Sequence, residues 1–267
     1  MWTARWVPAA SWVTMDGMHA QRDVEPAADI EAASTPRRAR HFHVRYRHSA
    51  LSTGQRERWD RLWPELGGDV ETKLGPPDGP QPLDLRRWFG RDAPVVLEIG
   101  CGAGTSTAAM ARAEPDLDVI AVEIYDRGLA QLLSAIDRDR LTNIRMLRGD
   151  GLDVLEHLLT PASLIGVRVF FPDPWPKARH HKRRLLQPAT MALIADRLKP
   201  GGVLHAATDH AGYAEQIAEC GDGEPGLRRV LPGSELPISV DRPTTKYEAK
   251  GRNAGSAINE FVWQRPL

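Results

Sequence analysis

Val95-Val96-Leu97-Glu98-Ile99-Gly100-Cys101-Gly102-Ala103-Gly104-Thr105 decides how the rest of the chain is read. Four apolar residues enclose one acid, and glycines follow at alternate positions. The pattern predicts a buried parallel strand over Val95–Ile99, a tight turn, and a helix from Thr105. Glycines in such a turn adopt positive φ and let a ligand come close to the backbone. An ordinary strand–turn–helix would explain the same residues. The next strand, Asp118–Glu123, narrows the choice. It ends on an acid about 20 residues beyond the turn, where nucleotide-binding folds place a ribose-binding carboxylate.

Strands and helices then alternate. Helices are expected over Thr105–Arg112, Gly128–Arg138, Asp153–Leu159, Pro188–Leu198 and Tyr213–Glu219. Strands are expected over Ile144–Leu147, Leu164–Phe171 and Gly202–Thr208, with a final edge strand over Ala257–Trp263. Such units build a parallel sheet with helices on both faces. Ligands lie at the carboxyl ends of its strands. Those ends carry Glu98 with Gly100 and Gly102, then Glu123, Asp150, Asp173 and Asp209, so an acid recurs after every strand.

Upstream of this core, residues 1–36 read as a disordered extension rich in Ala, Pro, Asp, Glu and Ser. Residues 37–90 read as a basic arm and an N-terminal helical segment. Phe42 and Tyr46 stand four apart in the arm, and Trp59 and Trp63 share one side of a short helix. A loop is expected through Gly67-Gly68 and on to Pro80.

The chain has 267 residues, with 35 basic and 35 acidic side chains, so its net charge is zero. The average hides two basic tracts. Arg37–His48 and Lys177–Arg184 each hold five Lys or Arg residues and no acid, a pattern suited to phosphate contacts. Two cysteines exclude a disulfide framework and a zinc cluster, and no metal site is expected. With no signal-like start and no membrane-length apolar run, a cytoplasmic location is expected.

The acids also bear on the ligand. Glu123 suits ribose hydroxyls, Asp150 an adenine amino group, and Glu98 the amino-acid end of a cofactor. A dinucleotide brings a pyrophosphate, which wants a helix N-terminus and few acids. S-adenosylmethionine brings a sulfonium and an ammonium, which tolerate carboxylates, so it is the better fit. Phe170-Phe171-Pro172-Asp173-Pro174-Trp175-Pro176-Lys177 is the most unusual stretch. Its prolines stiffen the loop and hold the Asp173 carboxylate in place. A packed tryptophan in a rigid turn is one reading. The other is a slot for a planar base lying on Trp175, with Asp173 accepting from the base edge and the following cations holding phosphates.

Together these residues resemble the bacterial tRNA (guanine-N7-)-methyltransferases over roughly Arg37 to the C-terminus. The resemblance rests on Leu97–Gly102, on Phe170–Lys177 with Arg179–Arg184, on Ala207-Thr208-Asp209 and on Thr245-Lys246-Tyr247-Glu248. It implies a Rossmann-like class I α/β fold with a largely parallel seven-stranded sheet. Residues 91–267 would form the methyltransferase domain, with substrate-site elements at its C-terminal end. It implies transfer of a methyl group from S-adenosylmethionine to N7 of a guanine in the tRNA variable loop. By the same resemblance, Glu98, Gly100, Gly102, Glu123 and Asp150 hold the cofactor and Asp173 is catalytic. Lys177, Arg179, Asp209, Thr245, Lys246 and Glu248 bind the substrate. Two departures stand out: Gly151 where relatives often have alanine, and Tyr247 where phenylalanine is common. tRNA is the expected partner, with no membrane and no obligate protein partner. A methyltransferase of a small molecule or protein, and an RNA-binding protein with a vestigial pocket, are the competing expectations.

Overall fold

A computed structural model describes residues 51–75, 79–231, 233–243, 248 and 257–267. The extension 1–36 and the arm Arg37–His48, with Phe42 and Tyr46, lie outside the described residues, as do Thr245, Lys246 and Tyr247.

In chain order the elements are α1 (Thr53–Leu66), β1 (Gly67–Asp69), α2 (Val70–Leu74), α3 (Leu85–Phe89), β2 (Val95–Ile99) and α4 (Thr105–Ala113). Then come β3 (Asp118–Glu123), α5 (Asp126–Asp139), β4 (Ile144–Arg148), α6 (Gly151–Asp153) with a π-helical turn over Val154–Leu158, and β5 (Leu164–Phe170). A 3-10 helix (Ala178–Arg183) leads to α7 (Pro188–Arg197), β6 (Leu198–Thr208), α8 (Ala211–Asp222), β7 (Arg228–Arg229) and β8 (Asn259–Gln264).

One sheet runs β1-β4-β3-β2-β5-β6-β8-β7. It is parallel from β1 to β6, and β8 is antiparallel to both β6 and β7. Alternation along β3 shows why both faces carry helices. Ile120 and Val122 enter the core formed with Met191, Ile194, Tyr213 and Ile217. Val119 and Ala121 enter the core formed with Ala108, Leu129, Leu132 and Leu133. All six β3 residues are buried, as a strand covered on both faces must be.

The Rossmann-like expectation is met, and among the described residues the sheet has eight strands where the resemblance implies seven. Two of them, β1 and β7, were not expected from sequence; β1 lies where Gly67-Gly68 reads as a loop. These glycines serve contact instead of a turn. A Cβ on Gly67 would stand 2.2 Å from the Trp63 ring, so only glycine lets the strand pass the indole and pair with β4. β6 also begins earlier than expected. α7 ends at Arg197, one residue before the expected bound, and the chain enters the strand at Leu198 without an intervening loop, so Lys199-Pro200-Gly201 lies in β6.

α1 is organised by its N-terminus. Ser52 accepts from the Gln55 amide, while the Gln55 side chain accepts from the Ser52 amide, a reciprocal cap. Trp59 and Trp63 stack with centroids 4.1 Å apart. Arg58 and Arg61 both bond Asp137 on α5, so α1 packs onto the same core as the sheet.

β2 and β5 are parallel neighbours, while β2 leads to β3 on its other side. The order in which strands are added reverses between β2 and β5, which leaves a crevice outside their carboxyl ends. This is the point at which open α/β sheets bind ligands.

Candidate active site

The glycine turn forms one wall of the crevice. Gly100 and Cys101 both donate to the Val122 carbonyl, at 2.9 and 3.1 Å, and the turn closes with Gly104 donating to Cys101. Gly100 has φ 78° and Gly104 φ 71°, values at which an L side chain strains the backbone. Nothing lies within 4 Å of a Cβ built on Gly100, whereas one on Gly104 would meet Leu132 at 2.6 Å. Open space above the first glycine and closed packing behind the last divide the turn into a ligand side and a core side. α5 begins against this turn: a Cβ on Gly128 would stand 2.4 Å from the Gly102 carbonyl oxygen. Sequence reading misses this close approach of Gly128 to the turn, because Gly128 looks like an ordinary first-turn residue.

Glu123 is buried and fixed by three amides. Its Oε2 accepts from Gly102 at 2.9 Å, and its Oε1 accepts from Ile124 at 2.7 Å and Tyr125 at 3.1 Å. The carboxylate braces the turn; Oε1 already accepts from two amides, and Oε2 keeps capacity for one further donor such as a hydroxyl. Asp150 caps α6, accepting from the Leu152 amide at 2.9 Å. Gly151 follows because Ile99 presses on it; a Cβ there would stand 2.4 Å from Ile99 Cγ2.

Glu98 is the most telling of the acids. Its side chain is buried, and its Oε2 has no hydrogen-bond partner among the described residues. Burial pushes its carboxyl above the ordinary range, opposed by the charge of Arg168. The Thr107 hydroxyl and the Arg168 charge act on the same carboxyl, and a buried acceptor below a turn with free space has room for a further donor. Carboxylates at Glu98, Glu123 and Asp150 fit a cationic cofactor bearing an ammonium and a ribose. Cys101, within the turn, is no nucleophile: burial, Glu98 and Glu123 push its thiol well above its usual value. Among the described residues no cluster suits a metal ion, and no helix is long and apolar enough to cross a membrane.

The other wall is the loop after β5. Phe171 and Trp175 both have positive φ, 52° and 42°, and they bracket Pro172-Asp173-Pro174. Strain of this kind costs on the order of 1–3 kcal/mol per residue and persists only when neighbours enforce it. Phe171 donates to the Ala207 carbonyl on β6 at 2.8 Å. Asp173 is exposed at the loop's crest, as is Asp209 just past β6. His210 caps α8 through Nδ1, which accepts from Tyr213.

Trp175 is less open than expected for a base platform. The Arg183 guanidinium lies 5.1 Å from its ring centroid, and His180 meets it edge-on at 5.9 Å. Lys177 and Arg179 are exposed as a phosphate contact requires.

Glu248 is placed differently from the other substrate-site residues. It is buried and gripped by Arg242, with Nη1 at 2.5 Å and Nη2 at 3.1 Å. Arg242 also bonds Glu260 at 2.9 Å and stacks over Phe170 and Phe171, 5.4 and 5.0 Å from their centroids. Its charge therefore ties the C-terminal segment to the strained loop. Buried beside it on the sheet, His205 faces Glu260 at 3.3 Å, and burial lowers its pKa. Arg168 lies between His205 and Glu98 in register. It donates to Glu114 at 2.6 Å and to the Ser239 carbonyl at 3.3 Å, while its Nε and Nη1 have no partner among the described residues. Sequence reading passed over Arg168, His205 and Arg242. Lone polar residues inside the apolar runs of β5 and β6 were the available signal for the first two; nothing marks Arg242.

A family model described as "Putative methyltransferase" matches residues 92–261. A tRNA (guanine-N(7)-)-methyltransferase of Mycobacterium avium (strain 104) is 64% identical over 252 residues, covering 93% of this chain and 97% of that protein. The protein of that name from Mycobacterium tuberculosis (strain ATCC 25177 / H37Ra) is 61% identical over 256 residues, covering 93% and 94%. Among solved structures, the aminoglycoside resistance methyltransferase NpmB1 superposes with a TM-score of 0.46 at 18% identity, covering 69% of this chain and 94% of that one.

Proposed function

The chain belongs to the tRNA (guanine-N(7)-)-methyltransferase family and moves the methyl group of S-adenosylmethionine to N7 of a guanine in tRNA, and we propose that this guanine stands in the variable loop and is held by Asp173. The observation that carries the residue assignment is the pairing of β2 with β5. It sets the glycine turn and the Asp173 loop side by side at one edge of the sheet.

In this reading Glu98 takes the ammonium end of the cofactor, Glu123 its ribose and Asp150 its adenine. The bound cofactor supplies an electrophilic methyl group. Guanine N7 carries a free lone pair, so no proton leaves before attack and no side chain needs to act as a base. The chain's task is alignment and stabilisation of positive charge as it develops on the purine. Asp173, exposed and aimed by a stiff loop, accepts from the ring N–H and amino edge of the guanine and balances that charge. Asp209, from the adjacent strand end, reinforces it. Lys177 and Arg179 take backbone phosphates, which orient the tRNA without reading its bases. Thr245 and Lys246 belong to the same substrate site by family resemblance. Glu248 serves it indirectly, since its carboxylate is bound to Arg242. The enzyme works in the cytoplasm on this reading, which a tRNA substrate and two free cysteines support.

Labelled S-adenosylmethionine and unmodified tRNA, followed by nucleoside analysis, test the reading. N7-methylguanosine should form in the variable loop. Asp173→Ala should lose most turnover while keeping cofactor affinity near that of the wild type. Unchanged turnover in that variant overturns the assignment of Asp173.

A further inference from the structure

We propose that Arg184 is a positioning residue that locks the Asp173 loop to α8, and not one of the cations that meet tRNA phosphate. The proposal rests on the reading of Asp173 given above. It separates one member of the basic run from its neighbours: Lys177, Arg179, Lys182 and Arg183 are exposed, whereas Arg184 is only 4% exposed.

The buried guanidinium reaches two elements at once. Its Nε donates to the Pro174 carbonyl at 2.8 Å. Its Nη1 donates to the Gly212 carbonyl at 3.0 Å and to Gln216 Oε1 at 2.8 Å. The plane lies 4.8 Å from the Tyr213 ring centroid. Among the described residues these hydrogen-bonding partners are all neutral. A buried cation held only by neutral acceptors is costly, and a packing role alone would be met by an apolar side chain. What arginine adds is a rigid fork that bonds acceptors on separate segments in fixed directions.

The segment so held needs that restraint. Phe171 and Trp175 have positive φ and flank Asp173. The first is tethered by its amide to the Ala207 carbonyl. The second follows directly on the Pro174 carbonyl that Arg184 grips. Each strained end of the loop thus has one tether, and Arg184 supplies the second. Its other partners, Gly212 and Gln216, belong to α8, which begins two residues after Asp209. The same side chain therefore fixes the spacing between Asp173 and Asp209.

Arg184→Lys, Arg184→Met, Arg179→Ala and Asp173→Ala test this on the full chain. Three quantities are read: S-adenosylmethionine affinity by calorimetry, tRNA affinity over a series of salt concentrations, and the methyl-transfer rate at saturating tRNA and cofactor. Misplacement by about 1 Å costs on the order of 100-fold in rate. Arg184→Lys should show a loss of that size, with cofactor affinity within about twofold of wild type and an unchanged salt slope. Arg184→Met should behave alike; if it fails to bind cofactor, Arg184→Lys, which keeps the charge, decides. Arg179→Ala should instead make the salt slope shallower by about 0.7–0.9 and largely recover its rate at saturating tRNA. A wild-type rate in Arg184→Lys overturns the proposal, as does a shallower salt slope with recovered rate in Arg184→Met. If Asp173→Ala keeps its turnover, the reading of Asp173 fails. If Asp173→Ala loses turnover and Arg184→Lys does not, only the role of Arg184 fails.

Discussion

The same substitution at two glycines of one turn should have opposite consequences. Gly100 and Gly104 have nearly equal φ, 78° and 71°, so alanine at either strains the backbone by about 1–2 kcal/mol. Their surroundings differ. A Cβ on Gly104 meets the Cβ and Cδ1 of fully buried Leu132 at 2.6 Å, an overpacking worth a further 1–3 kcal/mol or so. Gly104→Ala should thus lose about 2–5 kcal/mol of stability in total, and Gly100→Ala only about 1–2. For the cofactor the order reverses. The methyl of Gly100→Ala enters the space over the turn, where nothing of the protein lies within 4 Å. An overlap of about 1–3 kcal/mol with a bound ligand lowers its affinity roughly 5- to 150-fold. The Gly104→Ala methyl points into the core and should leave affinity near that of the wild type. Urea denaturation without ligand, and calorimetric titration with S-adenosylmethionine, measure the two effects separately. Wild-type affinity in Gly100→Ala would refute the claim that the open space belongs to the cofactor. Equal stability losses in the two variants would refute the division of the turn into a ligand side and a core side.

Two further perturbations concern buried charge. Burial raises the Glu98 pKa above its ordinary 4.5. The folded chain therefore holds that proton more tightly than the unfolded chain, and the stability linked to it is present at low pH and lost as pH rises through the raised pKa. Glu98→Gln should consequently leave the ligand-free protein at least as stable at neutral pH. The cofactor's ammonium needs the carboxylate, so wild-type affinity should fall on acidification, starting above pH 4.5. Glu98→Gln should bind more weakly at neutral pH and lack that acid limb; titrations over a pH series decide, and a persisting limb would assign it to another group. Arg242→Met strips Glu248 and Glu260 of their guanidinium while both stay largely buried. Breaking a buried pair in this way costs about 3–5 kcal/mol, to be read by urea denaturation. A loss below about 1 kcal/mol would mean that Arg242 does not anchor the segment.

The central strands were legible because burial on both faces leaves a signature in sequence. Val95–Ile99 is apolar but for Glu98, and Asp118–Glu123 is apolar between its two terminal acids; each is a strand with the expected bounds. β1 was illegible for the complementary reason. Gly67 and Gly68 carry no side-chain pattern, and their role depends on the Trp63 ring and on β4, which is far away in sequence. β7 is two residues long and exists only because β8 offers it an edge. α5 starts at Asp126, earlier than its apolar stripe suggests. A first-turn acid suits a helix N-terminus, but hydrophobic period does not register it.

Sequence reading put acids at the strand ends, where the structure has them, and left the fate of the cations open. Arg179 and Arg184 stand in one uninterrupted basic run, yet one faces solvent and the other is buried against Pro174 and α8. Residue type announces a charge, whereas its partner is a tertiary fact. The strand-end acids escape this ambiguity because topology aims them, since in a parallel sheet every strand's carboxyl end opens on the same edge; Glu248, outside the strand ends, does not, and is bound by Arg242. That edge also suits the chemistry. Methyl transfer to N7 begins with a positive charge on sulfur and ends with one on the purine, and no proton is exchanged. A reaction that moves a cation a few ångströms is served by fixed negative charge on both sides of its path. Glu98, Glu123 and Asp150 stand on the side of β2, and Asp173 and Asp209 on the side of β5. On the proposed reading, Glu98 and Asp173 answer one requirement, a place for positive charge before transfer and after it, while Glu123 and Asp150 serve the neutral ribose and adenine.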